Sequence, residues 1–195
     1  MNAKRLIDVV GAATGLLVLA PVMGATAVAI RVAMGSPVLF RQVRPGLHEK
    51  PFTILKFRTM RDGDEPDEVR LGRLGKLLRA SSLDELPQLW NVLRGDMSLV
   101  GPRPLLLEYL PLYSRRHARR HEVRPGVTSW ISVHGRNNAT WEEQLESDVW
   151  YVENQSLAVD LAILFRTVIK VIERADVQQE GRATRERFTG TAALS

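Results

Sequence analysis

Two adjacent carboxylates, Asp84 and Glu85, are the residues of this chain best suited to catalysis. They come just before an amphipathic run from Leu86 to Leu93, whose apolar spacing predicts one face of a helix. Adjacent carboxylates repel one another, so we expect cations or a divalent metal ion beside them. Three arginines lie nearby in the sequence: Arg79, Arg94 and Arg103. The pattern predicts a catalytic segment at a helix entrance.

The same residues also have the pattern of an ordinary helix start. Ser82 and Glu85 have the spacing of a capping box. Asp84 would itself suit an N-cap, with Pro87 in the first turn. On these residues alone, the catalytic and the capping interpretations both stay open.

Composition limits the class of protein. A chain of 195 residues, 45% apolar and 25% charged, is long enough for one globular core. Without cysteine it has no disulfide framework and no thiolate metal site, which fits a reducing compartment. Its net charge of +5 favours a polyanionic partner: nucleic acid, acidic lipid or a phosphorylated substrate.

Motif searches narrow these classes. The chain has neither a P-loop nor a GxGxxG sequence, so a Walker or Rossmann nucleotide site has no support. His117 and His121 have i,i+4 spacing but lack the glutamate of HExxH, and a basic helix face is the simpler interpretation. Signatures of nucleic-acid-binding folds are also missing, and the cations share segments with apolar residues that suit lipid. We therefore expect no nucleic-acid partner.

The N-terminal segment is the most apolar part of the chain. The run from Leu6 to Ile30 contains one charged residue, Asp8, and as a straight helix would be about 37 Å long, enough to cross a hydrocarbon core of ~30 Å. Pro21 would divide it into segments of roughly 22 and 13 Å, neither of which spans alone. Basic residues flank both ends.

Basic residues on both flanks favour a helix that enters the membrane, bends at Ala20–Pro21 and leaves on the same face. We predict a re-entrant anchor over residues 1–34, and a catalytic domain on the cytoplasmic face over residues 35–195. Three alternatives stay open: a straight transmembrane helix, a buried core helix, and a signal peptide cleaved after Ala25-Thr26-Ala27.

The remaining pattern predicts an α+β fold that is mainly helical. Alternation over residues 38–43 and 52–57 predicts a β-hairpin, which an acidic connector over residues 62–68 follows. Residues 70–79 and 157–172 predict amphipathic helices with cations beside an apolar face. We expect at least one of these helices to lie at the membrane interface, around a small catalytic core.

A polar region between these helices predicts ligand contacts. Residues 124–130 and 135–143 combine glycine, asparagine, arginine and tryptophan, which suit hydroxyls, phosphates and rings. Arg136 and Asn137 are its candidate substrate-binding residues. An ordinary structured loop is the alternative.

Taken together, these motifs resemble the bacterial sugar transferase family, the monotopic phosphoglycosyl transferases. The resemblance covers almost the whole chain and rests on these segments: KR before the apolar helix, LFRQVRPG, ILKFRTM, RLGRLGKLLR, SSLDELPQLWNVLRGDMSLVGPRPLL, HEVRPGVT and GRNNATWEE. It is most similar to the small members that initiate bacterial protein N-glycosylation.

The resemblance implies transfer of a sugar 1-phosphate from a UDP-sugar to undecaprenyl phosphate, with Mg²⁺ as cofactor and UMP as product. It implies a protein of the inner membrane that catalyses the first membrane step of glycoconjugate assembly, with downstream glycosyltransferases as further partners. The family's Asp-Glu dyad corresponds to Asp84 and Glu85, its preceding basic residue to Arg79, its Gly-Pro-Arg-Pro arginine to Arg103, and its later aspartate to Asp148.

Chemistry assigns these residues their roles. A carboxylate can form an acyl phosphate, so we assign Asp84 as the nucleophile that attacks the sugar-bearing phosphate. Together with Asp84, Glu85 would hold Mg²⁺. The forked guanidinium groups of Arg79 and Arg103 suit phosphate oxygens. Asp148 would contact either the surroundings of the metal or the sugar.

The chain departs from the family pattern at two places. Ala20 stands where a serine commonly precedes the proline, which leaves the depth and bend of the anchor open. The GRNNATW segment differs from the GRNAISW of enzymes that act on di-N-acetylated bacillosamine, so an N-acetylated amino sugar is the expected donor. The alternative functions are a non-catalytic membrane scaffold and a polyanion-binding protein. Pathway and oligomeric state stay open.

Overall fold

The computed structural model describes residues 3–134, 139–173 and 187–190. It is mainly helical with two small β-pairs, which confirms the predicted class. The helices are α1 (Ala3–Met34), α2 (Asp67–Ala80), α3 (Gln88–Arg94), α4 (Arg115–Ala118), α5 (Trp130–His134), α6 (Trp141–Asn154) and α7 (Leu157–Glu173). The strands are β1 (Leu39–Pro45), β2 (Pro51–Phe57), β3 (Ser98–Val100) and β4 (Gly126–Thr128).

The predicted hairpin is present. Strands β1 and β2 pair antiparallel over their whole length, from Leu39 opposite Phe57 to Pro45 opposite Pro51. Because side chains alternate along a strand, Phe40, Gln42 and Arg44 share one face of β1. That face forms one wall of a cleft. The second pair, β3 with β4, is parallel and joins residues 98–100 to residues 126–128.

Helix α1 is long and apolar enough to cross a membrane by length and composition. Pro21 lies inside this 32-residue helix, and the chain does not leave helical conformation there. Both ends of α1 pack on the rest of the protein. Near its start, Ala12 packs against Leu89 and Val92 of α3. Near its end, Ile30 belongs to a cluster with Phe57 of β2 and Leu78 of α2.

Polar contacts fix the first turns of α1. The carboxylate of Asp8, which is buried, accepts hydrogen bonds from Ser98 Oγ and Leu99 N, each at 2.9 Å. Arg5 donates to the carbonyl oxygens of Val92 and Leu93 at the end of α3. The one acidic residue in the apolar run therefore attaches the helix to β3.

His117 and His121 lie in consecutive helical turns rich in arginine, but both imidazoles are buried, and His121 packs beside the Tyr113 ring. Residues 124–134 and 139–143 are less loop-like than predicted, since they include β4, α5 and the start of α6. Thr140 and Glu143 form a capping box at α6. These segments form regular secondary structure because α6 and α7 provide apolar side chains for them to pack against.

Candidate active site

A cleft of about 890 Å³ opens beside the β-hairpin and brings Asp84 and Glu85 together with cations from distant segments. The two carboxylates occupy a short 3₁₀ turn, Leu83–Glu85, between α2 and α3. Ser82, which precedes the turn, has a left-handed backbone (φ 54°) that is uncommon outside glycine. This reversal aims the carboxylates into the cleft.

The capping interpretation of this segment is wrong. Ser82 makes no side-chain capping hydrogen bond, and Asp84 lies within the 3₁₀ turn, whereas Pro87 occupies the N-cap position of α3. The carboxylate of Glu85 instead accepts hydrogen bonds from Lys56 Nζ and Arg103, each at 2.7 Å. The catalytic interpretation is the one that these contacts favour.

The two carboxyl groups have different electrostatic environments. Burial raises the pKa of Asp84 to about 6, and the negative charge of Glu85 adds to the rise. Burial would also raise the pKa of Glu85, but the charges and hydrogen bonds of Arg103 and Lys56 outweigh it and lower that pKa to about 2. The cations therefore stabilise the anion on Glu85, while Asp84 carries the less stabilised and more reactive carboxylate.

Lys56 has no assigned role in the sequence analysis, although it lies in the ILKFRTM motif. Its position depends on α3, where the buried Asn91 side chain accepts from Leu55 N and donates to Thr53 O on β2. These two bonds hold β2 beside the catalytic turn. A signal was present in the sequence, since alternation along β2 puts Lys56 on the same face as Ile54.

Arg79, at the end of α2, also lines the cleft. Its Nε donates to Thr59 Oγ1 at 3.1 Å. Burial lowers the pKa of Arg79, although the negative charges of Asp84 and Asp67 raise it in part. Close packing of α2 sets this position, because a Cβ added to Gly75 would come within 2.0 Å of the Thr59 carbonyl oxygen.

Backbone hydrogen bonds of the two residues before Arg103 hold it in place. Gly101 N donates to Thr128 O and Gly126 N donates to Pro102 O, each at 3.0 Å, which joins the Gly-Pro-Arg-Pro turn to β4. The contact needs glycine at 101, since a Cβ there would lie 2.3 Å from a backbone oxygen of Arg124. The turn thus presents the Arg103 guanidinium to Glu85.

Asp148 does not line the cleft. Its carboxylate is buried and accepts from Arg120 Nε at 3.1 Å and from a second nitrogen of that guanidinium at 2.7 Å. Arg120 also donates to the carbonyl oxygen of Arg103 at 2.6 Å. Asp148 therefore lies behind the site and supports the Gly-Pro-Arg-Pro turn through Arg120, a residue that the sequence analysis did not single out.

Arg136 and Asn137, the other two predicted substrate-binding residues, lie outside the described residues. Trp130, in the same polar region, stacks on His134 and packs against Trp150. The Trp130 ring therefore packs against side chains of the protein itself.

The residues in the cleft fit a magnesium ion that is shared with a substrate. Within residues 3–134, 139–173 and 187–190, no group of three or more His, Asp or Glu side chains could hold a metal ion without other ligands. Asp84 and Glu85 supply two carboxylates, and Mg²⁺ is commonly bound by one or two carboxylates together with phosphate oxygens. The donor set therefore suits a metal that arrives with a diphosphate.

A carboxylate pair surrounded by lysine and arginine in an open cleft defines an enzyme-like site for phosphorylated substrates. Residues 1–174 match the family model described as bacterial sugar transferase, and the chain belongs to that family.

Its relatives include proteins of named activity. The chain is 53% identical, over the full length of both proteins, to an uncharacterized sugar transferase, EpsL, of Bacillus subtilis (strain 168). It is 43% identical to the UDP-glucose:undecaprenyl-phosphate glucose-1-phosphate transferase of Caulobacter vibrioides, over 85% of this chain and 68% of that protein.

A third relative, from Aeromonas hydrophila, is named UDP-N-acetylgalactosamine-undecaprenyl-phosphate N-acetylgalactosaminephosphotransferase. It is 36% identical over 87% of this chain, which spans 43% of that longer protein.

Proposed function

We propose that this protein transfers a sugar 1-phosphate from a UDP-sugar to undecaprenyl phosphate and releases UMP. The observation that carries the proposal is the Asp84–Glu85 pair beside Lys56, Arg79 and Arg103 in one open cleft. Relatives from Caulobacter and Aeromonas are named for the same reaction with glucose and with N-acetylgalactosamine.

The transfer would take place in two steps on Asp84. A carboxylate oxygen of Asp84 attacks the sugar-bearing phosphorus, and the bond from that phosphorus to the bridging oxygen breaks, so UMP leaves. A phosphate oxygen of undecaprenyl phosphate then attacks the acyl phosphate. This second displacement frees Asp84 and gives undecaprenyl diphosphate-sugar. Arg79 and Arg103 bind phosphate oxygens and hold the reacting groups in line.

Asp84 and Glu85 would hold Mg²⁺ together with oxygens of the diphosphate. Bound there, the ion would neutralise charge on the phosphates and on the departing UMP. Glu85 suits this place because its low pKa keeps it ionised at neutral pH.

We infer that α1 follows a monotopic course in the inner membrane and that the site lies on the cytoplasmic face; the packing of α1 supports the monotopic course. A straight helix of 32 residues would be about 48 Å long, and a spanning helix would carry one of its ends across the bilayer. Here both ends contact the same catalytic domain, whereas Leu17, Val18 and Val22 between them are exposed. This arrangement favours a helix that enters and leaves the membrane on one face.

Helix α7 supports placement at the lipid surface. Its outer face exposes apolar side chains, with Phe165 69% and Val168 58% accessible, while Ile163 on the opposite face is buried. Its Lys170 lines the cleft together with Val171, which is 45% exposed. An acceptor with a lipid tail would therefore meet an apolar surface next to a cation.

The identity of the donor sugar is the most specific part of the proposed function. The GRNNATW segment favours an N-acetylated amino sugar such as di-N-acetylbacillosamine, although the named relatives use glucose and N-acetylgalactosamine. We therefore propose that class of donor and test it beside the sugars of the relatives.

The test uses the full chain in nanodiscs with undecaprenyl phosphate and a panel of UDP-sugars, and measures UMP release with and without Mg²⁺. Asp84→Asn should abolish release, while Asp64→Asn, at an exposed position outside the cleft, should not change it. With acceptor omitted, mass spectrometry should find a phosphosugar on Asp84. Normal turnover by Asp84→Asn would contradict the mechanism, and no release with any donor would favour a non-catalytic scaffold.

A further inference from the structure

Arg44 lines the cleft on the wall formed by the hairpin, yet the proposed chemistry does not use it. It lies near the end of β1, opposite Phe52 of β2. One of its terminal nitrogens donates to Gln42 Oε1 at 2.5 Å. Its Nε is buried and makes no hydrogen bond within the described part of the chain. A buried guanidinium nitrogen without an acceptor is costly, which points to an external acceptor.

The charges around Arg44 point to the same kind of ligand. Burial lowers its pKa, and the like charge of Arg103 lowers it further, while Tyr109, Tyr113 and Glu108 act in the opposite direction. Lys56 and Arg103 both pair with Glu85, but Arg44 forms no ion pair with any described residue. Of these two neighbouring guanidinium groups, only that of Arg103 pairs with a described carboxylate, so Arg44 leaves positive charge that an anion would neutralise.

The backbone holds Arg44 in place before any ligand arrives. Gly46 N donates to Lys50 O at 2.9 Å and closes the hairpin turn. A Gly46 backbone group also hydrogen-bonds His121, which joins the hairpin tip to the buried layer behind it. The Arg44 side chain therefore starts from a fixed strand end, and binding an anion there would cost little ordering of the backbone.

Given the proposed function, we propose that Arg44 is a donor-binding residue whose guanidinium binds the diphosphate of the UDP-sugar beside Arg103. The planar fork of arginine suits the two oxygens of a phosphate, and its Nε is one of the donors available for that contact.

The diphosphate is a better ligand for Arg44 than the single phosphate of the acceptor. Lys170, on the α7 wall of the cleft, lies beside Val171, which is exposed and also lines the cleft. A lipid-linked phosphate would find its cation there, next to an apolar surface for the tail. Arg44 and Arg103 on the other side match a ligand with two phosphates.

Nucleotide binding without turnover tests the assignment. We would titrate UMP and UDP into the protein in nanodiscs by isothermal titration calorimetry, and compare Arg44→Gln with Arg41→Gln. Arg41 lies on the same strand, is exposed and does not line the cleft, so its variant removes the same charge at a position away from the proposed ligand. Arg44→Gln should weaken UDP binding by about 10- to 100-fold, as expected for lost hydrogen bonds to a charged group. Arg41→Gln should leave it unchanged.

Arg44→Lys refines the test, since it keeps the charge but loses the fork. It should weaken UDP binding by roughly 3- to 10-fold. If Arg44→Gln does not fold, as shown by thermal denaturation, the lysine variant carries the test alone.

Unchanged UDP binding by the Arg44 variants would overturn the inference and leave the proposed function intact. The same holds if only the KM for undecaprenyl phosphate rose. If the wild-type protein bound neither nucleotide, the proposed function itself would fail.

Discussion

Two aspartates, Asp84 and Asp148, both have a raised pKa, but they differ in their access to the cleft and in their partners. Burial raises the pKa of each to about 6, and arginine charges oppose that rise in both. Asp84 lines an open cleft beside a second carboxylate. Asp148 is 2% exposed and is bound by two nitrogens of Arg120.

The comparison shows that burial alone does not mark a catalytic carboxylate. Asp84 can meet a substrate because the cleft reaches it, and because Lys56 and Arg103 bind Glu85 through hydrogen bonds. Asp148 is enclosed, and its influence passes through Arg120 to the backbone of Arg103. Four predictions test this division between a reactive and a supporting carboxylate.

The largest expected effect is on activity. Asp84→Asn removes the nucleophile and should lower the rate of UMP release by on the order of 10³-fold or more. Its melting temperature should stay the same or rise, because the change removes a charge that burial and Glu85 disfavour. Rate assays and thermal denaturation on the same nanodisc preparation measure both. A large loss of stability would show that Asp84 supports the fold as Asp148 does.

The second prediction concerns stability. Asp148→Asn leaves the Arg120 guanidinium buried without its carboxylate and should lower the free energy of unfolding by about 3–5 kcal/mol. Chemical denaturation in detergent measures this change. The double variant Arg120→Met, Asp148→Leu should recover most of the loss, because it removes both charges. If the double variant were no more stable than Asp148→Asn, the buried pair would not be the cause.

The third prediction concerns pH. Burial, and secondarily the charge of Arg120, lower the pKa of His121 from 6.5 to about 4. The unfolded chain therefore binds this proton more readily, so the His121 contribution is fully present above pH 6.5 and is lost as pH falls towards 4. His121→Gln should remove this loss, worth about 1–3 kcal/mol at pH 4.

The raised pKa of Asp148 acts in the opposite direction over nearly the same range, since stability from this group falls as pH rises from 3.8 to about 6. The measurement is therefore the difference between wild-type and His121→Gln unfolding curves from pH 4 to pH 8. A difference that does not vary with pH would show that His121 titrates alike in both states.

The smallest effect is expected at the surface. Arg119 pairs with Glu122 and Glu153 on the outside of the same region that contains Arg120. Water screens these exposed charges, so Arg119→Gln should produce no measurable change in melting temperature. A shift as large as that of Asp148→Asn would mean that ion pairing, rather than enclosure, gives the Arg120 pair its importance.

Local pattern was enough to predict much of the fold. The alternation of the hairpin, the spacing of α2 and α7 and the adjacency of Asp84 to Glu85 are all set within a few residues. Capping was predicted as an alternative at Ser82 from spacing alone and is not present there, whereas Thr140 carries a complete capping box. The spacing of residue types shows which capping hydrogen bonds are possible at a turn, and tertiary packing determines which of them form.

By itself, the sequence determined the adjacent carboxylates Asp84 and Glu85, the motifs that contain Arg79 and Arg103, and the apolar N-terminal helix, because each is a property of neighbouring residues. Only the tertiary structure brought Lys56 to Glu85 across 29 positions, enclosed Asp148 against Arg120 and packed both ends of α1 on the rest of the protein. Those contacts depend on how separate elements pack together, and the period of apolar residues within one element does not specify its partner.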